Sequence, residues 1–187
     1  QGQVVDSAMV DGSLSLMSFF YSLKEMAHWE DKRESNLLDG YAHFYDTYEC
    51  KDNKFIAVGS IEPQFYSELL EKLEIGDDVF VNQHNKKLWP ELKEKMALKF
   101  KSKTRAEWAA IFSDSDACVS PVLNMEEAKA HPHNISREAF INIDGFNQPN
   151  ASPRYSKTKP EIKHNAKEVG VDLNDICNEF NLSKEAF

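Results

Sequence analysis

The 187-residue sequence predicts an α/β fold, because short strand-like segments alternate along it with segments of helical periodicity. The clearest example is the apolar run 55–58, which ends in a glycine turn and leads to Pro63, a residue suited to the first position of a helix. The composition agrees, since 41% hydrophobic and 28% charged residues describe a soluble globular protein that is large enough for a core.

The N-terminal part predicts a strand end at 3–6 and one long helix after it. Apolar residues recur at helical spacing from Met9 to Met26, which predicts a helix with one broad apolar face, and Trp29 closes this helix. The polar residues 30–40 then predict a connector and a first domain boundary.

The middle of the chain predicts a β-hairpin followed by three helices. Turn-forming residues at 51–54 separate the two strands of the hairpin. Thr104 and Glu107 form a capping box, in which each side chain bonds a free backbone N–H of the other, and they mark the start of the third helix. The other predicted segments are strands 44–49 and 55–58 and helices 63–73 and 87–101.

The last third of the chain predicts a strand at 119–123 and then a helix that begins at a second capping box, formed by Asn124 and Glu127. Pro132 stops this helix. The remaining predicted segments are strand 140–143, an irregular crossing segment 145–159 that holds a second domain boundary, and short helices 165–169 and 174–180.

Charge and cysteine content exclude several classes of protein. A net charge of −9 and a pI near 5.2 argue against a nucleic-acid surface. Cys50, Cys118 and Cys177 form no C-x-x-C pair, so they predict a reducing compartment and neither a disulfide framework nor a zinc ribbon. No apolar run approaches the ~20 residues that a membrane span needs, and no signal peptide is predicted.

The histidines provide no recognisable site. His131 and His133 lie close together, but further ligands are too few for a metal, and no metal site is predicted. His28 and His43 can titrate near neutral pH, yet their neighbours in the sequence supply no orienting partner.

Glu62 is the most informative single residue, because a strand and a glycine turn deliver it to the mouth of a helix. Its place before Pro63 predicts an N-cap whose carboxylate accepts backbone hydrogen bonds and meets the positive end of the helix dipole. From the residues alone, a cap without any chemical role is the favoured interpretation.

Five sequence blocks together resemble the family III CoA-transferases, and in particular the racemase branch of that family. The resemblance is clear over residues 1–145 and looser towards the C-terminus, and its specificity comes from the order and spacing of the blocks. The blocks are GQVVDSAMVDG at 2–12, NLLDG at 36–40, AVGSIEPQFY at 57–66, KTRAEW at 103–108 and DACVSPVLNMEE at 116–127.

The resemblance implies an enzyme that inverts the centre beside the thioester carbonyl of a 2-methylacyl-CoA. A histidine and an aspartate of the family transfer the α-proton, and both lie in a segment before the block at 2–12, so this chain is expected to lack them and to be inactive alone. Glu62 matches the family's glutamate that lies beside that histidine. Five residues match the apolar wall along which the acyl chain lies, with ordinary core packing as the alternative: Met9, Leu37, Leu38, Tyr45 and Ile61.

The resemblance also implies an architecture and partners. Residues 1–40 and 136–187 would be linkers and parts of a large Rossmann-like domain, and 41–135 a small α+β domain. Two subunits would interlock, without a cofactor beyond the CoA of the substrate, in the fatty-acid metabolism of peroxisomes or mitochondria. Residues 185–187 are no peroxisomal S-K-L signal. Two other functions stay open, a CoA-transferase of the same family and a truncated, non-catalytic assembly module.

Overall fold

The computed structural model describes residues 2–183, and the chain divides into two compact units between Val122 and Leu123. Both units mix helices and strands, so the predicted α/β class is confirmed. The C-terminal residues 185–187 lie outside the described part of the chain. The first unit contains α1 (Met9–Leu16), α2 (Ser18–Glu25), β1 (Tyr45–Glu49), β2 (Phe55–Gly59), α3 (Pro63–Lys72), a 3-10 helix (Asp78–Asn82), α4 (Trp89–Phe100), α5 (Arg105–Phe112) and β3 (Val119–Pro121).

The first unit is organised around a three-stranded antiparallel sheet with the order β1-β2-β3. The predicted hairpin forms, with Tyr45 opposite Gly59 and Glu49 opposite Phe55. Asn53 takes a φ of 57° in the connecting turn, a conformation that asparagine tolerates better than most residues. The central strand β2 therefore has a hydrogen-bonded neighbour on each side.

One face of this sheet is covered by helices and forms the core. Alternation along β2 buries Ile56 and Val58, while helical periodicity buries Leu69 of α3 and Leu92 of α4. Each such aliphatic side chain stabilises the folded state by roughly 1.5–3 kcal/mol through its removal from water. The fully buried aromatic side chains of this core include Phe44, Phe80, Phe100 and Trp108.

The helix starts follow the local sequence. At α5 the Thr104 hydroxyl accepts from the Glu107 N–H, and the Glu107 carboxylate accepts from the Thr104 N–H. The same reciprocal pair joins Asn124 and Glu127 at the next helix. Both predicted capping boxes are confirmed.

The N-terminal region differs from its prediction in two ways. Residues 2–8 have no regular secondary structure, so the strand end at 3–6 is wrong. The single long helix is also wrong, because the chain turns at Met17 between α1 and α2. The Ser13 and Ser18 hydroxyls donate to backbone carbonyls of the preceding turn, at 2.9 and 2.6 Å, and such bonds bend helices. Neither helix buries a single residue.

The second unit contains α6 (Met125–Ala130), α7 (Pro132–Ser136), β4 (Phe140–Ile143), β5 (Phe146–Pro149) and α8 (Leu173–Phe180). The segment predicted as irregular from 145 begins instead with β5, which pairs with β4 through a tight turn at Asp144 and Gly145, both with positive φ. Pro132 begins a new helix as well as ending the previous one, and the predicted helix 165–169 is absent from this described segment. The predicted domain boundaries stay predictions.

Candidate active site

A groove of about 520 Å³ lies on the first unit, where the loop 38–40 meets the sheet surface that faces away from the helices. Its floor is formed by short side chains, because Ala57 and Gly59 of β2 lie between Thr47 of β1 and Ser120 of β3. The groove is lined by Leu38, Asp39, Gly40, Tyr45, Asp46, Thr47, Ala57, Val58, Gly59, Cys118 and Ser120.

The loop at the edge of the groove is fixed by Asp39. Its carboxylate accepts hydrogen bonds from the backbone N–H groups of Ser35 and Asn36, at 3.1 and 2.9 Å, and from the Asn36 side-chain amide at 2.8 Å. Partial burial alone would raise the pKa of Asp39, but these hydrogen bonds outweigh it and hold that pKa below its ordinary value. The loop is therefore held by an ionised aspartate.

A second contact ties the same loop to β1 and α4. The Lys93 ammonium donates to the Gly40 carbonyl at 2.5 Å and forms an ion pair with Asp46 at 2.6 Å. Gly40 has a φ of +87°, and a Cβ at this position would lie 3.3 Å from a carboxylate oxygen of Asp46. Glycine is favoured at this position, since the backbone is left-handed and the carboxylate is close.

Glu62 occupies the N-cap position of α3, as predicted, with φ −73° and ψ 144°. Its carboxylate makes no capping hydrogen bond, so the predicted acceptor role is wrong. Glutamate is one methylene longer than the aspartate that is preferred at this position, and here its exposed side chain does not fold back onto the helix.

The Glu62 carboxylate nevertheless acts on a residue that lines the groove. Burial raises the pKa of the Cys118 thiol, and the negative charges of Glu62, Asp116 and Glu68 raise it further. Glu62 therefore lies within electrostatic reach of Cys118, an exposed residue that lines the groove.

The five residues of the predicted apolar wall do not all share one surface. Leu38 and Tyr45 line the groove, and Leu37, Ile61 and Tyr45 are partly buried against the core. Met9 is 90% exposed on α1 and is not among the residues that line the groove. Sequence matching grouped these residues, but in the structure they lie on different surfaces.

His43 has an orienting partner that its sequence neighbours did not reveal. Its Nε2 lies 2.7 Å from the Tyr66 hydroxyl of α3, while its Nδ1 is buried without a hydrogen bond. Burial, with a smaller effect of His84, lowers the pKa of His43 to about 4. The ring is completely buried, so it is a neutral core residue that a substrate cannot reach, whereas His28 is exposed.

Several residues that shape the groove gave no signal in the sequence. Asp46 and Lys93 belong to no recognisable motif, since the residues that they contact across the groove loop are distant in the chain. In residues 2–183, no cluster of three or more histidine, cysteine, aspartate or glutamate side chains is arranged to hold a metal ion. The same range contains no helix with the length and apolar character that a membrane crossing requires.

Residues 1–172 match the model of CoA-transferase family III. Over 189 residues the chain is 43% identical to a mouse protein named alpha-methylacyl-CoA racemase, and over 188 residues it is 42% identical to the human protein of that name. Each match covers 99% of this chain and 49% of the relative. A Caenorhabditis elegans CaiB/BaiF CoA-transferase family protein is 34% identical over 82% of the chain and 44% of its own length. The chain thus spans about half the length of the mouse and human relatives.

Solved structures with low sequence identity share this fold. A CaiB/BaiF family protein from Brucella suis matches with a TM-score of 0.73 and 16% identity, over 96% of this chain and 48% of that protein. Rv3272 from Mycobacterium tuberculosis matches with a TM-score of 0.65 and 15% identity, over 87% of this chain and 42% of that protein.

Proposed function

Because the chain belongs to CoA-transferase family III, we propose that the complete protein is a racemase of 2-methylacyl-CoA thioesters. The α-proton is removed from one face of the substrate and a proton returns to the other, through an enolate. One observation carries the proposal, namely identities of 43% and 42% to the mouse and human racemases over 99% of this chain.

The reaction needs two proton-transfer groups and a donor for the enolate oxygen. In our proposal a histidine and an aspartate from the other half of the protein transfer the proton, and Glu62 supports the histidine. A carboxylate beside an imidazole fixes the orientation of the ring and favours its protonated form. The exposed Glu62 side chain, which makes no capping hydrogen bond, is available for such a contact.

The groove is the proposed place for part of the acyl chain. Its short floor residues leave space, and Leu38 and Tyr45 offer apolar side walls. Leu37 and Ile61 would support this wall through the core, because they are partly buried against it. Met9 would contact the acyl chain only if the fold of the complete protein brings α1 to the groove.

The proposed assembly is an interlocked homodimer in which residues 1–40 and 136–187 belong to a large domain and 41–135 to a small one. The exposed apolar residues of α1 and α2 support this proposal, since such a surface is expected to be covered in the complete protein. No cofactor beyond the CoA of the substrate is proposed. A place in the fatty-acid metabolism of peroxisomes or mitochondria is part of the same proposal.

The test is solvent exchange by the complete protein with a single 2-methylacyl-CoA in deuterium oxide. We expect deuterium at the α-carbon and loss of optical purity without any added carboxylic acid. A strict requirement for an acceptor acid, with no α-proton exchange in its absence, would overturn the proposed racemase activity.

The same experiment tests the second candidate, an acyl-CoA:carboxylate CoA-transferase. The match to the family III model and the C. elegans relative favour it. A transferase would form product only with an acceptor acid, through an acyl anhydride on an aspartate outside this chain. If the chain is instead a non-catalytic assembly module, coexpression with the complete protein should give a mixed oligomer on size analysis.

A further inference from the structure

The backbone that leads to Glu62 is held by buried polar side chains rather than by strand pairing alone. Beyond Gly59 the chain leaves β2 and reaches α3 after only three residues, Ser60, Ile61 and Glu62. Ser60 is completely buried, although it is polar and lies in a turn. A buried polar residue needs hydrogen-bond partners, so the partners of this turn explain how it is held.

Gln83 supplies two of these partners. Its side-chain amide donates to the Ser60 carbonyl at 3.0 Å and to the Ile61 carbonyl at 2.9 Å. These are the two carbonyls that immediately precede Glu62 in the chain. Gln83 is only 6% exposed, so water cannot readily replace either bond.

Gln83 is itself held in place. The Trp89 indole N–H donates to the Gln83 carbonyl at 2.7 Å, and Trp89 is buried at the start of α4. Because both donors of one planar amide are used, its orientation is defined by the two carbonyls that it bonds. A rigid element of the core thus sets the geometry of the turn.

Ser60 fixes the other side of the turn. Its hydroxyl donates to the Ala117 carbonyl at 2.5 Å, and its backbone N–H donates to the Phe44 carbonyl at 3.0 Å. The Gly59 N–H donates to the Cys118 carbonyl at 2.9 Å. The turn is therefore bonded to the segment before β1, to the segment before β3 and to Gln83.

These contacts matter for Glu62 because its carboxylate has no capping bond of its own to fix it. The direction in which its side chain leaves the protein depends on the backbone of residues 60–62. We propose that Gln83 is a positioning residue for Glu62, acting as an amide clamp on the two preceding carbonyls. This inference rests on the proposed role of Glu62 in proton transfer.

The first test is Gln83→Leu in the complete protein, which keeps a side chain of similar size and removes both donors. A displacement of about 1 Å at a catalytic group can cost roughly a hundredfold in rate, so we expect kcat for α-proton exchange to fall roughly tenfold to a hundredfold. KM should change less than about threefold, because the clamp does not touch the CoA thioester.

A double variant separates positioning from general destabilisation. If Gln83 acts through Glu62, adding Gln83→Leu to Glu62→Gln should cause no further loss of kcat, since the carboxylate that it positions is already absent. Hydrogen exchange followed by mass spectrometry provides a direct readout. The peptide that contains Gly59 to Glu62 should exchange faster in Gln83→Leu than in the unchanged protein.

Trp108→Phe is the matched control. Gln83→Leu removes two buried hydrogen bonds from a side chain to carbonyls, and Trp108→Phe removes one, from the Trp108 indole N–H to the Phe100 carbonyl at 2.8 Å. We expect a lower Tm for this variant, while the kcat of the folded enzyme and the exchange of the 59–62 peptide stay unchanged.

Three outcomes show which of the proposals fails. If the reductions of kcat in the two single variants multiply in the double variant, the positioning role of Gln83 is overturned. Unchanged hydrogen exchange of the 59–62 peptide would overturn it as well. Neither result would affect the proposed racemase activity. A Glu62→Gln variant with full activity would overturn the role of Glu62 and the positioning role together. A requirement for an acceptor acid in the unchanged protein would overturn the proposed reaction itself.

Discussion

Within the first unit, the N-terminal helices and the helices that follow them have similar apolar periodicity but opposite burial. α3, α4 and α5 each bury aromatic or aliphatic side chains against the sheet, whereas α1 and α2 bury none. Met9 and Leu16 of α1 are 90% and 84% exposed, and Leu69 of α3 is 0% exposed. Apolar periodicity therefore shows that a helix has a face to bury, but the rest of the protein decides whether that face is covered.

The groups that the proposed reaction needs are likewise divided between this chain and the rest of the complete protein. The packed part of the first unit carries the groove and Glu62, while the proton-transfer pair is expected from outside this chain. The largest predicted effect follows from this division, because the 187-residue chain expressed alone should show no α-proton exchange with a 2-methylacyl-CoA in deuterium oxide. Mass spectrometry of the recovered thioester measures it. Measurable exchange above a protein-free control would contradict the division.

A pair of leucine substitutions compares the stability of the two regions directly. Leu69→Ala should lower the free energy of unfolding of the chain by about 2–5 kcal/mol, because it leaves a cavity in the core. Leu16→Ala should change it by less than about 0.5 kcal/mol, since this side chain is already in water.

Urea unfolding of both variants provides the measurement. Repeating it with the complete protein sharpens the comparison, since a larger cost for Leu16→Ala there would mean that α1 is covered. Equal costs for the two substitutions in the chain alone would show that α1 is packed already.

The histidines give a prediction for acid stability. The pKa of buried His43 is lowered to about 4, below its ordinary value of 6.5. A lowered pKa means that the unfolded chain binds the proton more tightly, so stability is full above pH 6.5 and is lost as the pH falls towards 4. The shift corresponds to about 3 kcal/mol between these limits.

Unfolding free energies measured between pH 7 and pH 4 check this prediction. His28→Gln is the control, because it replaces a histidine that is exposed at the surface. In His43→Gln the loss between pH 6.5 and 4 should be smaller than in the unchanged chain. An identical slope in the two proteins would rule out His43 as the source.

Two glycine-to-alanine substitutions give the smallest difference in stability, and we expect one to destabilise and the other to stabilise the protein. Gly40→Ala should lower the free energy of unfolding by about 1–2 kcal/mol, because the φ of Gly40 is +87° and an added Cβ would lie 3.3 Å from a carboxylate oxygen of Asp46. Gly12→Ala in α1 meets nothing within 4 Å and should stabilise that helix by up to about 1 kcal/mol. Thermal unfolding and helix content by circular dichroism measure the two effects. A destabilising Gly12→Ala would mean that α1 contacts another surface.

The sequence alone determined the features that depend on a few consecutive residues. The capping boxes at Thr104 and Asn124, the helix start at Pro63 and the hairpin formed by β1 and β2 were predicted because their hydrogen bonds join residues close in the chain. The family was also recognisable, since it depends on the order and spacing of short blocks. The pair Asp144-Gly145 is typical of a hairpin turn, as found between β4 and β5. Strand β5 was not predicted, because the residues that follow this pair are mostly polar.

Only the tertiary structure decided how the candidate site is held. Gln83 bonds carbonyls 22 and 23 residues away, and Lys93 bonds Gly40 across 53 residues. His43 became a buried neutral ring only because the core closed around it. Such contacts need the chain to be folded before the partners meet, so no local pattern encodes them, whereas caps and turns bring their partners together through backbone geometry alone.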